Sequence, residues 1–97
     1  MAAPRIIWTK QAKMALKNIY NFYKPKSLQG AKNVISDILQ SPKSIQFSKQ
    51  YQLDEINPNY RRIVIRDYKL IYKERDNSIQ IIDIVSTKQS PDKLKSK

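Results

Sequence analysis

Apolar positions change period along the chain, and each change marks an element. Arg5-Ile6-Ile7-Trp8 is a short, partly β-branched apolar run and predicts a strand. Thr9 fits a helix N-cap that ends it. Ala12, Ala15, Leu16, Ile19 and Phe22/Tyr23 then recur at helical spacing, so an amphipathic helix follows, with Lys10, Lys13 and Lys17 on its outer face. It ends at Tyr23-Lys24-Pro25, because the residue before a proline avoids the helical region. Ser27 fits the cap of a second helix whose stripe is Ala31, Val34, Ile35, Ile38 and Leu39, with Pro42 as its stop. Two helices joined this closely predict an αα-hairpin.

Residues 43–58 are polar, carry turn formers at Asn57-Pro58 and keep a few apolar anchors (Ile45, Phe47, Leu53, Ile56). They read as a long loop, which in a small domain is often functional. Three strand-like runs follow: Arg61–Arg66, Lys69–Lys73 and Ile79–Val85, with Asp67-Tyr68 and Asp76-Asn77-Ser78 as turn chemistry between them. The third run is the most continuously apolar and is expected in the sheet interior. Residues 90–97 read as a flexible tail. The order β-α-α-β-β-β predicts an α+β domain: an N-terminal strand, an αα-hairpin and a three-stranded antiparallel meander, with the helices packed on one face of an antiparallel sheet.

At 97 residues the chain has room for a single domain, residues 1–97, and one small core. It has no cysteine and no histidine, which removes thiolate nucleophiles, disulfides, Ser-His-Asp chemistry and the commonest zinc ligands. The single glycine, Gly30, removes phosphate-cradling loops and dinucleotide fingerprints. No apolar run approaches the ~20 residues of a membrane helix, and the N-terminus lacks a signal-peptide layout. A cytoplasmic protein without membrane partners is expected. Among the acids no spacing suggests a metal site, so no metal and no cofactor are expected.

Charge changes the picture most. Lysine and arginine number 19 against 8 acids, a net charge of +11. A polyanionic partner would relieve that self-repulsion. The first acid is Asp37, so residues 1–36 hold seven basic residues (Arg5, Lys10, Lys13, Lys17, Lys24, Lys26, Lys32) and no carboxylate. A second cluster, Arg61, Arg62, Arg66, Lys69, Lys73 and Arg75, falls on two adjacent predicted strands. Side chains alternate faces on a strand. Arg62 and Arg66 therefore share a face with Tyr60 and Val64, Arg61 shares the other with Ile63 and Ile65, and on the next strand Leu70 and Tyr72 share one face and Lys69, Ile71 and Lys73 the other. Alternation leaves open which face the helices cover. Basic residues interleaved with a tyrosine suit RNA, since cations hold phosphate and a ring stacks on a base. Arg66, Tyr72 and Lys73 are the nucleic-acid-binding candidates. Tyr72 equally fits a core position with its hydroxyl at the rim. The arginines equally fit surface pairs with Glu74, Asp76 or Asp83. Arginine or lysine can also stabilise a phosphoryl transition state without histidine.

Arg5-Ile-Ile-Trp-Thr with the helix ending Ile19-Tyr20-Asn21-Phe22-Tyr23, the stretch Tyr60–Tyr72, and Ile81–Gln89 together resemble, in order and spacing, the RelE/ParE toxin superfamily. The resemblance spans about residues 5–94 and rests on degenerate patterns. It implies a growth-inhibiting toxin of a bacterial type II toxin–antitoxin module, neutralised by a cognate antitoxin, for which a segment acidic enough to complement the +11 charge is expected. RelE-like members cleave ribosome-bound mRNA without metal; ParE-like members instead poison DNA gyrase. The leading expectation is ribosome-dependent mRNA cleavage, with a gyrase poison or a non-toxic nucleic-acid-binding module as alternatives. The catalytic candidates carried over are Arg61, Arg62, Lys69 and Lys88. Lys88 stands where the family commonly has arginine, and no tyrosine follows it.

Overall fold

A computed structural model describes residues 4–46 and 50–88. Phe47 and the tail at residues 90–97 lie outside the described residues. The elements run β1 (Arg5–Trp8), α1 (Lys10–Tyr23), α2 (Leu28–Gln40), a short 3-10 turn (Ser41–Ser44), β2 (Arg61–Ile65), β3 (Tyr68–Arg75) and β4 (Ser78–Ser86).

Both helices begin where the sequence offers a cap. The Thr9 hydroxyl accepts from the Ala12 N–H at 3.2 Å and lies 2.7 Å from the Ile81 carbonyl, to which it donates. One side chain thus starts α1 and fastens it to β4. Ser27 Oγ accepts from the Gly30 N–H at 2.9 Å. A Cβ at Gly30 would stand 3.2 Å from that hydroxyl, so the glycine lets the cap close without crowding.

The sheet order is β1-β4-β3-β2. Strands β2, β3 and β4 form the antiparallel meander, and β4 lies in the interior as its apolar run predicts. β1 joins β4 in parallel, so the sheet is mixed rather than antiparallel throughout. Parallel pairing needs a long crossover, which the helical hairpin, the loop and the first meander hairpin supply. The β3–β4 turn places Asp76 and Asn77 at φ 51° and 64°, the left-handed pair of a type I′ hairpin. The β2–β3 turn falls on Arg66-Asp67, one residue earlier than the composition suggests. Tyr68 instead pairs with Ile65 and is buried, its hydroxyl 3.3 Å from that of Tyr23.

The core lies between the hairpin and one sheet face. Ala12, Ile19, Val34 and Ile38 meet Ile63, Leu70, Tyr72, Ile79, Ile81 and Ile84. A register shift at Ile71/Tyr72 lets Ile81 and Ile84 both join that core. The opposite face of β2 and β3 is left for other chemistry.

Candidate functional site

Pairing of Arg62 with Ile71 and of Val64 with Lys69 fixes which side chains share the outer sheet face. Arg62, Val64, Lys69, Ile71 and Lys73 point away from the helices. The segment before β2 folds back beside them. Arg62 N–H donates to the Gln52 carbonyl at 3.0 Å, and Asp54 N–H to the Tyr60 carbonyl at 2.9 Å. This carries Asp54 over the face.

Asp54 is 3% exposed. Its Oδ1 accepts from Lys69 Nζ at 2.6 Å and lies 3.9 Å from Arg62 Nη1; its Oδ2 accepts from the Asn57 N–H at 2.9 Å. Burial pushes this carboxyl up, but the Lys69 ammonium, the Asn57 N–H and the Arg62 guanidinium outweigh burial and hold it below the ordinary carboxylate range. Arg62 also donates to the Leu53 carbonyl at 2.9 Å and pairs loosely with Glu55 at 3.5 Å. Two open cavities flank the cluster. One of about 300 Å³ is lined by Ile56, Arg62, Val64, Lys69 and Val85. The other, about 250 Å³, is lined by Gln11, Asn57, Tyr60, Ile71 and Asp83. Lys73 Nζ sits 5.9 Å from the centre of the Tyr60 ring.

The sequence-predicted residues do not all meet here. Arg62, Lys69 and Lys73 share the outer face. Arg61 turns the other way and donates to the Tyr51 carbonyl at 2.8 Å. Tyr72 is in the core, 0% exposed and edge-on to Tyr51 at 6.5 Å, so its ring offers no stacking surface in this fold. Burial pushes its hydroxyl up, opposed by a hydrogen bond with the Tyr51 backbone and by the Arg61 charge. Arg66 occupies the β2–β3 turn at φ 55°, with its Nε 2.7 Å from Asp37 Oδ2 on α2. Lys88 is exposed and folds back to Asp67 Oδ2 at 3.1 Å. Among the described residues these cations pair with Asp54, Glu55, Asp37 and Asp67. Asp54, at the centre of this cluster, is the residue that sequence reasoning passed over. Its one local signal is an acid three residues before Asn57, the spacing of a side chain capping a backbone N–H. Among the described residues no cluster of three or more acids offers a metal site, and no helix is long and apolar enough to cross a membrane.

The hairpin carries a different surface. Lys10, Lys13, Lys17, Lys24, Lys26 and Lys32 are all exposed. Met14 and Phe22 beside them are each 58% exposed, and Lys26 Nζ lies 4.6 Å over the Phe22 ring. Tyr20, Lys32, Ile35 and Leu39 line a recess of about 280 Å³ between the helices.

Residues 6–91 match a family model described as the ParE toxin of type II toxin–antitoxin system, parDE. No curated protein matches the chain. Among solved structures, a chain of one described as the chromosomal ParDE toxin–antitoxin system from P. aeruginosa superposes with a TM-score of 0.76 at 20% identity, covering 86% of this chain and 95% of that one. At that identity the likeness is one of fold.

Proposed function

The chain belongs to the ParE toxin family of type II toxin–antitoxin systems, and from that premise we propose that it arrests growth by binding its target, DNA gyrase, rather than by cutting RNA. The observation that carries this reading is the dispersal of the cations that RNA cleavage would need together. Arg62 and Lys69 are engaged by Asp54, Arg61 lies on the opposite sheet face at the Tyr51 carbonyl, and Lys88 is at Asp67. A metal-free phosphodiester cleavage needs charge stabilisers and a proton-transfer group converging on one phosphate. Tyr72 is buried and cannot join them. An exposed cationic surface lies on the hairpin, where six lysines flank exposed Met14 and Phe22. Such a mix of apolar and one-signed residues suits protein recognition.

The same charge argument supports a cognate antitoxin with an acidic segment. Residues 1–36 carry no carboxylate, and a segment folding onto the hairpin would supply the missing sign.

Induced expression in a bacterial host without an antitoxin, with pulse-labelled DNA and protein synthesis, tests the reading. DNA synthesis is expected to fall first, with filamentation. A prompt fall in protein synthesis with DNA synthesis intact would overturn it in favour of ribosome-dependent mRNA cleavage.

A further inference from the structure

We propose that Arg62 and Lys69 form a nucleic-acid phosphate site that the chain keeps closed with its own Asp54, the 53–59 loop acting as a removable strap and Tyr60 staying in place just before β2. This goes beyond the toxin reading and is compatible with it, because Arg62 and Lys69 by themselves hold phosphate without Arg61 and Lys88, which lie elsewhere, and so do not make a cleavage site.

The strap is held by the Asp54 ion pairs and a few backbone hydrogen bonds rather than by apolar burial. From residue 53 to residue 59 only Asp54 is buried; Leu53 and Ile56, the apolar residues available as anchors, are 49% and 71% exposed. Segments with little apolar burial open locally at low free-energy cost. Beneath the strap the strands that carry the cations are paired to each other, so their backbones keep their places when the loop lifts, while the Arg62 guanidinium gives up the Leu53 carbonyl and Glu55 together with Asp54. Lifting the loop also differs from deleting Asp54. Opening returns both charges to water together, whereas deletion strands Lys69 half-desolvated.

The uncovered face has the composition of a single-strand platform. Lys69 and Lys73 flank Ile71 on β3, with Arg62 opposite Ile71 on β2 and the Tyr60 ring beside Lys73. Three cations around an apolar floor and a ring match phosphates with a base between them. An acidic peptide would supply carboxylates and leave Tyr60 and the floor unmatched, so nucleic acid is the favoured ligand. Asp54 competes at the high effective concentration of an attached group, so the resting site is occupied.

Full-length protein is titrated with labelled single-stranded RNA and DNA oligonucleotides over a range of salt. Asp54→Asn is compared with Asp76→Asn, which makes the same charge change at an exposed position of the β3–β4 turn, outside the proposed site. Asp54→Asn should bind roughly tenfold tighter than Asp76→Asn, the gain of one or two charge-assisted contacts. Its log–log salt slope should steepen by about 1.4 for two freed cations on a single strand. Adding Lys69→Met should abolish the gain. In wild-type protein, saturating oligonucleotide should accelerate hydrogen exchange at the Asn57 amide, which Asp54 normally holds. That readout serves if Asp54→Asn does not fold. Equal gains from Asp54→Asn and Asp76→Asn would overturn the proposal as an effect of net charge alone. Unchanged Asn57 exchange under saturating oligonucleotide would also overturn it. Tight binding of polyglutamate but not of oligonucleotide by Asp54→Asn would reassign the site to an acidic protein segment.

Discussion

Lys69 Nζ on β3 donates to Asp54 Oδ1 at 2.6 Å, joining the loop before β2 to the outer sheet face through a pair with side chains only 14% and 2% exposed. By contrast, the Arg66–Asp37 pair has nearly the same length, 2.7 Å, with side chains 44% and 46% exposed. Burial, not distance, sets how much each contributes.

Asp54→Ala is therefore expected to destabilise the fold by about 3 kcal/mol, because it leaves Lys69 shielded and unpaired. Arg66→Ala should cost under about 1 kcal/mol. Urea denaturation of both, with Lys69→Met and the Asp54→Ala/Lys69→Met double variant, checks the claim. The double variant should lose clearly less than the two single losses added. Strict additivity would show that the pair is not coupled.

Acid should weaken the protein through the same carboxyl. Asp54 is held below its ordinary value of 3.8 in the folded chain and returns to it on unfolding. The unfolded chain then takes up the proton first as pH falls. The Asp54 contribution is thus complete above about pH 4 and is lost as pH drops through the depressed folded value. Thermal melts of wild type and Asp54→Asn between neutral pH and acid should converge as pH falls. A constant gap between the two would contradict the depressed pKa.

Alkali acts on the core tyrosines in the opposite sense. Burial, with the Tyr23 hydroxyl and the Asp67 charge, pushes Tyr68 well above its ordinary value of 10.0, and burial also raises Tyr72. A raised folded pKa gives stability that is complete below pH 10 and lost as pH climbs beyond it. Tyrosinate absorbance should show Tyr68 and Tyr72 ionising only with unfolding. Replacing either by phenylalanine should remove one ionisation from that cooperative step.

Thr9→Ala should cost more than Ser27→Ala. Either change removes an N-cap, worth about 1 kcal/mol. Thr9 additionally ties α1 to the Ile81 carbonyl of β4, a further bond worth about 1 kcal/mol. Thermal melts should therefore place Thr9→Ala below Ser27→Ala, and equal melting would show that the bond to β4 adds nothing.

What the sequence determined by itself is what short-range physics decides. Thr9 and Ser27 cap their helices through the N–H three residues on, so both helix starts are local events. Three short apolar runs between turn formers over 61–85 give the meander, and Asp76-Asn77 accepts the positive φ that its turn requires. The apolar run of β4 marks an interior strand because both its neighbours cover it. Tertiary structure alone decided the rest. Arg61 and Arg62 are adjacent and chemically identical; only the burial of Ile63 against the helices sends Arg61 to Tyr51 and Arg62 to Asp54. The parallel seat of β1 depends on where a distant strand lies. Asp54 reads as an ordinary loop acid because the lysine that defines it arrives from β3, and charges brought together by strand pairing leave no pattern in the chain order.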